Sequence, residues 1–222
     1  MAVAYDNSVT VDTFGDTTLT SGTFTVSSSA NRAIAGCLST FALTTLHSMT
    51  LAGQTGTAIS GATLIWNAAG SRMLMFGAAA PNTGSQTVSA SWVTSTSASL
   101  GGITATGVDQ TTPFNNGTST EGASPASLAV TSAAGDLTFT LASNNTSSTT
   151  HTSNQTVRLT DFGIVDTGPG TANPTHTWTE DSTIIGIVGA NFQAVAAAGR
   201  TTKNTRSAPL GVEIGMNWRG GL

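Results

Sequence analysis

The fold class is predicted first from the stretch Val9-Thr10-Val11-Asp12-Thr13-Phe14. Apolar and polar side chains alternate along most of its length, and Thr23-Phe24-Thr25-Val26 shows the same alternation shortly afterwards. Successive side chains of a β-strand point to opposite faces of the sheet, so a period of two is typical of a strand with one buried face. Both stretches are therefore predicted to be β-strands.

Similar short stretches continue along the chain, separated by residues that favour tight turns. The further predicted strands cover residues 32–42, 47–51, 62–66, 72–78, 86–94, 100–108, 128–132, 137–141, 156–162, 176–180 and 184–192. The predicted connections include residues 30–31, 80–84, 134–136 and 167–170, and the Asn/Ser/Thr-rich stretch 144–154 is predicted to be a long surface loop. The Ala-rich stretch 195–199 is too short for a stable helix of its own. Many short strands with polar connections indicate an all-β sandwich or barrel.

The composition agrees with a packed β domain. Serine and threonine account for 67 of the 222 residues, whereas charged residues make up only 8%. An ordinary soluble domain carries about 25% charged residues, so hydroxyl groups, amides and backbone must wet much of this surface. The apolar fraction of 38% and the mean hydropathy of +0.09 do not fit a disordered chain, which is typically highly charged and poor in apolar residues.

The few charges are unevenly placed. The formal net charge is −4 and the pI is about 5.1, which argues against a surface that neutralises many phosphate groups and hence against nucleic-acid binding. Residues 1–199 hold three arginines and ten acidic residues, a formal charge of −7, whereas residues 200–222 hold four basic residues and Glu213, a formal charge of +3. An acidic body therefore precedes a basic C-terminal segment.

The C-terminal segment has two parts. Residues 199–207 contain no apolar side chain to bury and are predicted to be an extended linker, whereas residues 210–218 place five apolar side chains at strict two-residue spacing. That spacing predicts a strand with one apolar face, which either closes the protein's own sheet or is carried onto a neighbouring subunit by strand addition. We therefore divide the chain into a β-sandwich domain, residues 1–196, and an extended C-terminal arm, residues 197–222.

If the arm reaches a neighbour, its basic and apolar side chains are candidate partner-binding residues. The basic side chains would attract an acidic partner, and the apolar ones would supply the buried contact, with Trp218 as the expected hot spot. The candidates are Arg200, Lys203, Arg206, Val212, Ile214, Met216, Trp218 and Arg219.

The single cysteine, Cys37, lies in the apolar stretch 33–38 and is expected to be a small buried side chain. One cysteine excludes an intrachain disulfide and a multi-cysteine metal site. The N-terminal residues lack the basic and apolar regions of a signal peptide, and no apolar run approaches the roughly 18 residues of a membrane span. We expect a chain that is made in a cytoplasm and does not enter a membrane.

The residues with catalytic potential form no enzyme motif. His47, His151 and His176 lie outside any Gly-x-Ser-x-Gly or paired-histidine motif. Glu180 and Asp181 are adjacent, so on a strand their carboxylates point to opposite faces and cannot act as a pair. Glycine-rich stretches lack the Lys-Ser/Thr of a phosphate-binding loop. We expect a protein that is not an enzyme.

A calcium site is a minor alternative. Asp161, Asp166 and Asp181 could meet in loops, and carboxylate oxygens suit calcium. The chain lacks the Asp-x-Asp-x-Asp-Gly pattern of a calcium loop, so we expect neither a metal nor a cofactor.

A glycan-binding surface is a further hypothesis. His176, Trp178 and Glu180 alternate along one predicted strand and therefore share one of its faces. Such a group of an aromatic ring and hydrogen-bonding side chains could bind a sugar, although a Trp packed in the core of a sandwich is the commoner arrangement.

Two short motifs carry a resemblance to a known class of proteins. Val108-Asp109-Gln110-Thr111-Thr112-Pro113-Phe114 is followed about twenty residues later by Val130-Thr131-Ser132-Ala133-Ala134-Gly135-Asp136-Leu137. A later Thr177-Trp178 then leads to the apolar stretch 184–192. In this order the segments resemble jelly-roll-like β-sandwich structural proteins of tailed bacteriophages, over roughly residues 5–195.

The resemblance implies a non-enzymatic virion protein assembled in the host cytoplasm. It implies most directly a capsid decoration or cement protein, a homo-oligomer such as a trimer, which binds the major capsid protein and stabilises the head shell. The alternative is a receptor- or glycan-binding module associated with a tail fibre or baseplate. The motifs carry no catalytic residues.

Overall fold

The computed structural model describes residues 1–42, 46–67, 70–115, 117–144, 151–160, 164–181 and 184–196. These residues form strands and connections without a helix, so the all-β class is confirmed. The strands are β1 (Ala4–Thr20), β2 (Phe24–Val26), β3 (Ala33–Thr40), β4 (Leu46–Leu51), β5 (Gln54–Thr55), β6 (Thr57–Trp66), β7 (Ser71–Ala79), β8 (Gly84–Gln86), β9 (Val88–Thr106), β10 (Thr118–Gly122), β11 (Ala126–Ala129), β12 (Leu137–Asn144), β13 (His151–Ser153), β14 (Thr156–Thr160), β15 (Ile164–Pro169), β16 (Thr175–Glu180) and β17 (Ile185–Phe192).

The two longest strands, β1 and β9, form an antiparallel ribbon in the first sheet. The order of this seven-stranded sheet is β5-β4-β9-β3-β7-β6, with β1 also paired to β9. Strand β9 pairs with β4 through residues 88–92 and with β3 through residues 98–105. Between these two parts the register of the ribbon shifts, near Gly15 with its φ of +82°. Such bulges bend a strand, so the first sheet curls over itself.

A second, five-stranded sheet, β10-β17-β12-β15-β14, packs on the first. Their shared core includes Trp66, Met73 and Ile103 from the first sheet and Phe139 and Phe192 from the second. The centroids of the two phenylalanine rings lie 4.8 Å apart. The contact between two apolar sheet faces makes the fold a β-sandwich, consistent with a jelly-roll-like arrangement.

Three central strands are buried on both faces. Every residue of β3, β12 and β17 is buried. The curled part of the first sheet covers its own second face through a cluster that includes Leu38 and Trp92. A three-stranded sheet, β11-β16-β13, covers the outer face of the second sheet through Trp178 and Ile187. A strand with only one buried face turns its hydroxyl groups to solvent. In β3, β12 and β17 both faces are buried, so their hydroxyl groups lie in the interior.

Two predicted connections are wrong in part. Asn144 is a buried residue of β12, and residues 151–153 form β13, so 144–154 is not one surface loop. Residues 167–169 belong to β15, which pairs with β12, and not to a turn. Proline is tolerated there because Pro169 lies at the end of the strand, where a missing N–H breaks up little of the ladder.

The reactivity of the buried Cys37 thiol reports on unfolding of the domain. Its side chain is buried, and desolvation raises the pKa of the thiol to about 12. Because the thiolate is the reactive form, we expect no labelling of native protein by a thiol reagent such as DTNB at pH 8, and stoichiometric labelling in denaturant. Rapid labelling under native conditions would contradict this burial.

Candidate functional site

The carboxylate of Asp136 fixes the end of β17. It accepts hydrogen bonds from the N–H of Ala133 at 2.8 Å, from Nδ2 of Asn191 at 2.6 Å and from the N–H of Ala194 at 2.8 Å. The first bond closes the turn that precedes β12. The other two, from Asn191 in β17 and from Ala194 just after it, come from more than fifty residues away. One buried acidic side chain therefore joins a local turn to the end of the domain.

The motif at residues 108–114 binds the same part of the chain. The N–H of Asp109 donates to the carbonyl of Gln193 at 2.8 Å, and the N–H of Gln193 donates to the carbonyl of Pro113 at 2.9 Å. The Asp109 carboxylate accepts from the N–H groups of Thr112 and Thr111, and these bonds lower its pKa. The Asp-Gln-Thr-Thr-Pro turn is thus a preformed support for the segment after β17.

The last described residues are also bound beside the N-terminus. The N–H of Val195 donates to the carbonyl of Gly107 at 3.2 Å, and the N–H of Val3 donates to the carbonyl of Gly135 at 2.7 Å. Residues 191–195 are therefore held by two loops that are distant in sequence, residues 107–113 and residues 133–136. Residues 191–195, which directly precede the predicted arm, are the candidate functional site.

The predicted partner-binding residues follow that point. Arg200, Lys203, Arg206, Val212, Ile214, Met216, Trp218 and Arg219 lie outside the described residues. Their roles, and the domain boundary at residue 196, stay predictions.

The glycan-binding surface predicted at His176, Trp178 and Glu180 is not a surface in this structure. The three side chains share one face of β16, as the sequence indicates, but that face packs against β12. His176 and Trp178 are fully buried, and Glu180 is 6% exposed. A sugar has no access to them, because β16 belongs to an additional layer whose inner face they form.

The same three residues form a buried polar ladder with β12. Nε2 of His176 and the hydroxyl of Thr138 share a hydrogen bond of 2.9 Å, and Nε1 of Trp178 donates to the hydroxyl of Thr140 at 2.9 Å. Nδ2 of Asn144 donates to Oε2 of Glu180. On the opposite side of β12, the hydroxyl of Ser39 donates to that of Ser143 at 3.0 Å.

The ladder predicts the effect of one small substitution. Thr140→Val keeps the volume of the side chain but leaves the buried indole N–H of Trp178 without its acceptor, so we expect a loss of about 1–3 kcal/mol in the free energy of unfolding. Thr179→Val, at an exposed position on the other face of β16, serves as the control, with an expected change within about 0.5 kcal/mol. Urea denaturation of both variants measures the difference, and equal stabilities would refute the ladder's contribution.

The remaining titratable candidates do not form a cluster where the structure describes them. No group of three or more His, Cys, Asp or Glu side chains that could hold a metal ion is found among the described residues. Asp161 and the side chains of His47, His151 and Asp166 are outside the described part, so the minor calcium alternative is not tested. No helix in the described ranges has the length and apolarity needed to cross a membrane.

Comparisons of the chain with family models, curated proteins and solved structures gave no match. They therefore add no support to the resemblance to bacteriophage proteins, which rests on the two loop motifs and the later strands.

Proposed function

We propose that the chain is a non-enzymatic structural protein of a bacteriophage particle, a capsid decoration or cement protein that stabilises the head shell. The observation that carries the proposal is that residues 191–195, which precede the predicted arm, are hydrogen-bonded to loops of the body. Asp136 holds this segment from one loop, and Gly107 and Asp109 hold it from another that is distant in sequence. An arm that holds two subunits together needs such an attachment to its own body. If the attachment were loose, it would break under load before the contact between the arm and the neighbouring subunit.

The body suits a role in a shell. Two stacked sheets and a third outer layer bury β3, β12 and β17 on both faces. The hydroxyls of Thr138, Thr140 and Ser143 in β12 are hydrogen-bonded to neighbouring layers. Such close-packed interiors have low compressibility. A rigid body with few lysine and arginine side chains offers little to proteases that cleave at basic residues.

The charge distribution supports contacts between copies. The body, residues 1–199, has a formal charge of −7, and residues 200–222 have +3. Opposite charges on the two parts favour an arm of one copy on the body of another. We propose a homo-oligomer, such as a trimer, with the major capsid protein as its other partner and the virion, assembled in the host cytoplasm, as its location.

Fractionation of particles tests the proposal. Virions of the phage that encodes the chain are split into heads and tails, and each fraction is digested and quantified by mass spectrometry. We expect the chain in the head fraction at a fixed stoichiometry to the major capsid protein. Its presence in tails alone, or its absence from purified virions, would refute the head assignment.

The alternative is a tail-fibre or baseplate module that binds a receptor or a glycan. Burial of His176, Trp178 and Glu180 removes the surface first considered for such binding.

A further inference from the structure

A wide bulge opens a groove at the edge of the first sheet. Ala58 pairs with Phe76 and Thr63 with Leu74, so four residues of β6 lie opposite one residue of β7. The bulge is held by the N–H of Gly117, which donates to the carbonyl of Ser60 at 2.6 Å. Gly61 has a φ of +81°, and a Cβ there would lie 2.3 Å from the carbonyl oxygen of Gly117. The distortion is therefore built into the fold.

The groove has the size of a small-molecule site. Its volume is about 500 Å³, within the roughly 300–1,000 Å³ typical of ligand pockets. Strands β5, β6 and β7 and the loop 113–115 supply its walls. The half-buried ring of Phe114 lies over Gly77, where a Cβ would be 2.2 Å from the ring, so Gly77 allows the ring to form part of the groove.

The chemistry of the walls is polar but uncharged. Among the twelve lining residues none is Asp, Glu, Lys, Arg or His. The polar side chains that line the groove are Gln54, Thr55, Thr57, Ser60 and Asn115. Apart from the bond from Nε2 of Gln54 to the carbonyl of Ala80 at 2.7 Å, these side chains make no hydrogen bond to another described residue. Two amides and three hydroxyls are thus available to a ligand as both donors and acceptors.

We infer that this groove binds a neutral oligosaccharide. A sugar presents hydroxyl groups that donate and accept at once, which matches amides and hydroxyls. It also presents an apolar ring face, which matches the half-buried side chains of Phe114 and Pro113. Anionic ligands would require a cation, and the groove lining contains none. The inference does not rest on the proposed function, because such a groove could act on a head or on a tail.

A saccharide panel identifies the ligand class. The full-length chain, fluorescently labelled, is applied to a printed panel of neutral hexose and N-acetylhexosamine oligosaccharides together with sialylated and sulfated ones. We expect retention on neutral members and none on acidic ones. The best neutral oligosaccharide is then titrated by calorimetry into the wild type and three variants.

The variants distinguish the groove from other surfaces. Thr57→Ala with Asn115→Ala should weaken binding at least tenfold, and Ser60→Trp, which fills the groove from an exposed position, should abolish it. Thr179→Ala removes an exposed hydroxyl from β16, outside the groove, and should bind within twofold of the wild type. The melting temperature of each variant is measured, and if Ser60→Trp fails to fold, the double variant decides. Failure to bind any neutral oligosaccharide, a preference for acidic ones, or equal affinity of the double variant would overturn the inference.

Discussion

Phe192→Ala is expected to lower the free energy of unfolding by about 3–5 kcal/mol. Phe192 is fully buried at the end of β17, and its ring centroid lies 4.8 Å from that of Phe139 and 5.3 Å from that of Phe114. Truncation would leave a cavity at the junction of both sheets and the Asp109 loop. The surrounding strands are paired on both sides and cannot collapse into the space.

The matched control is Phe14→Ala. The side chain of Phe14 is 72% exposed at the bend of the β1–β9 ribbon, so the same chemical change should alter the free energy of unfolding by no more than about 0.5 kcal/mol. Guanidinium denaturation, followed by tryptophan fluorescence, measures both variants. Equal effects of the two substitutions would contradict the packing described for Phe192.

Deletion of residues 197–222 is expected to abolish binding to heads while leaving the melting temperature unchanged. An arm that packs on a neighbouring copy leaves the core of its own body covered when it is removed. A fully extended linker of 13 residues, 197–209, spans at most about 45 Å. A compact domain of 196 residues has a radius of gyration of about 16 Å. The linker is therefore long enough to place residues 210–218 on a neighbouring copy.

Two further measurements separate this result from the alternative, a strand that closes the protein's own sheet. Trp218→Ala should weaken head binding more than any other single change in the arm, and raising the salt from 50 to 500 mM should weaken the contribution of Arg200, Lys203 and Arg206. If the deletion instead lowers the melting temperature by many degrees, the strand belongs to its own domain.

The sequence predicts the fold class because strand periodicity is a local property. In stretches such as residues 23–26 and 137–141, apolar side chains alternate with threonines, as expected of a strand. The structure confirms both stretches as strands. The order of the layers, in contrast, depends on contacts between parts of the chain that are distant in sequence. Nothing in the alternation of Thr138 and Thr140 indicates that β16 will cover them, since a hydroxyl on that face is equally suited to water.

The candidate site is predicted in part for the same reason. The turn motifs around Asp109 and Asp136 are visible in the sequence as turn chemistry, and they contain the residues that hold the end of β17. Their convergence on residues 191–195 depends on strand order, which a single sequence does not provide. The groove was missed because a bulge of three extra residues in β6 leaves only Gly61 as its signal.

Placement of the chain in the intact particle tests the proposal that it belongs to the head shell. A cryo-electron microscopy map of the virion, with the three-layered body fitted as a rigid unit, should show the body on the head lattice. Density should continue from Ala196 across to a neighbouring copy or to the major capsid protein. Density for the body confined to the tail, or a head lattice without it, would contradict the account.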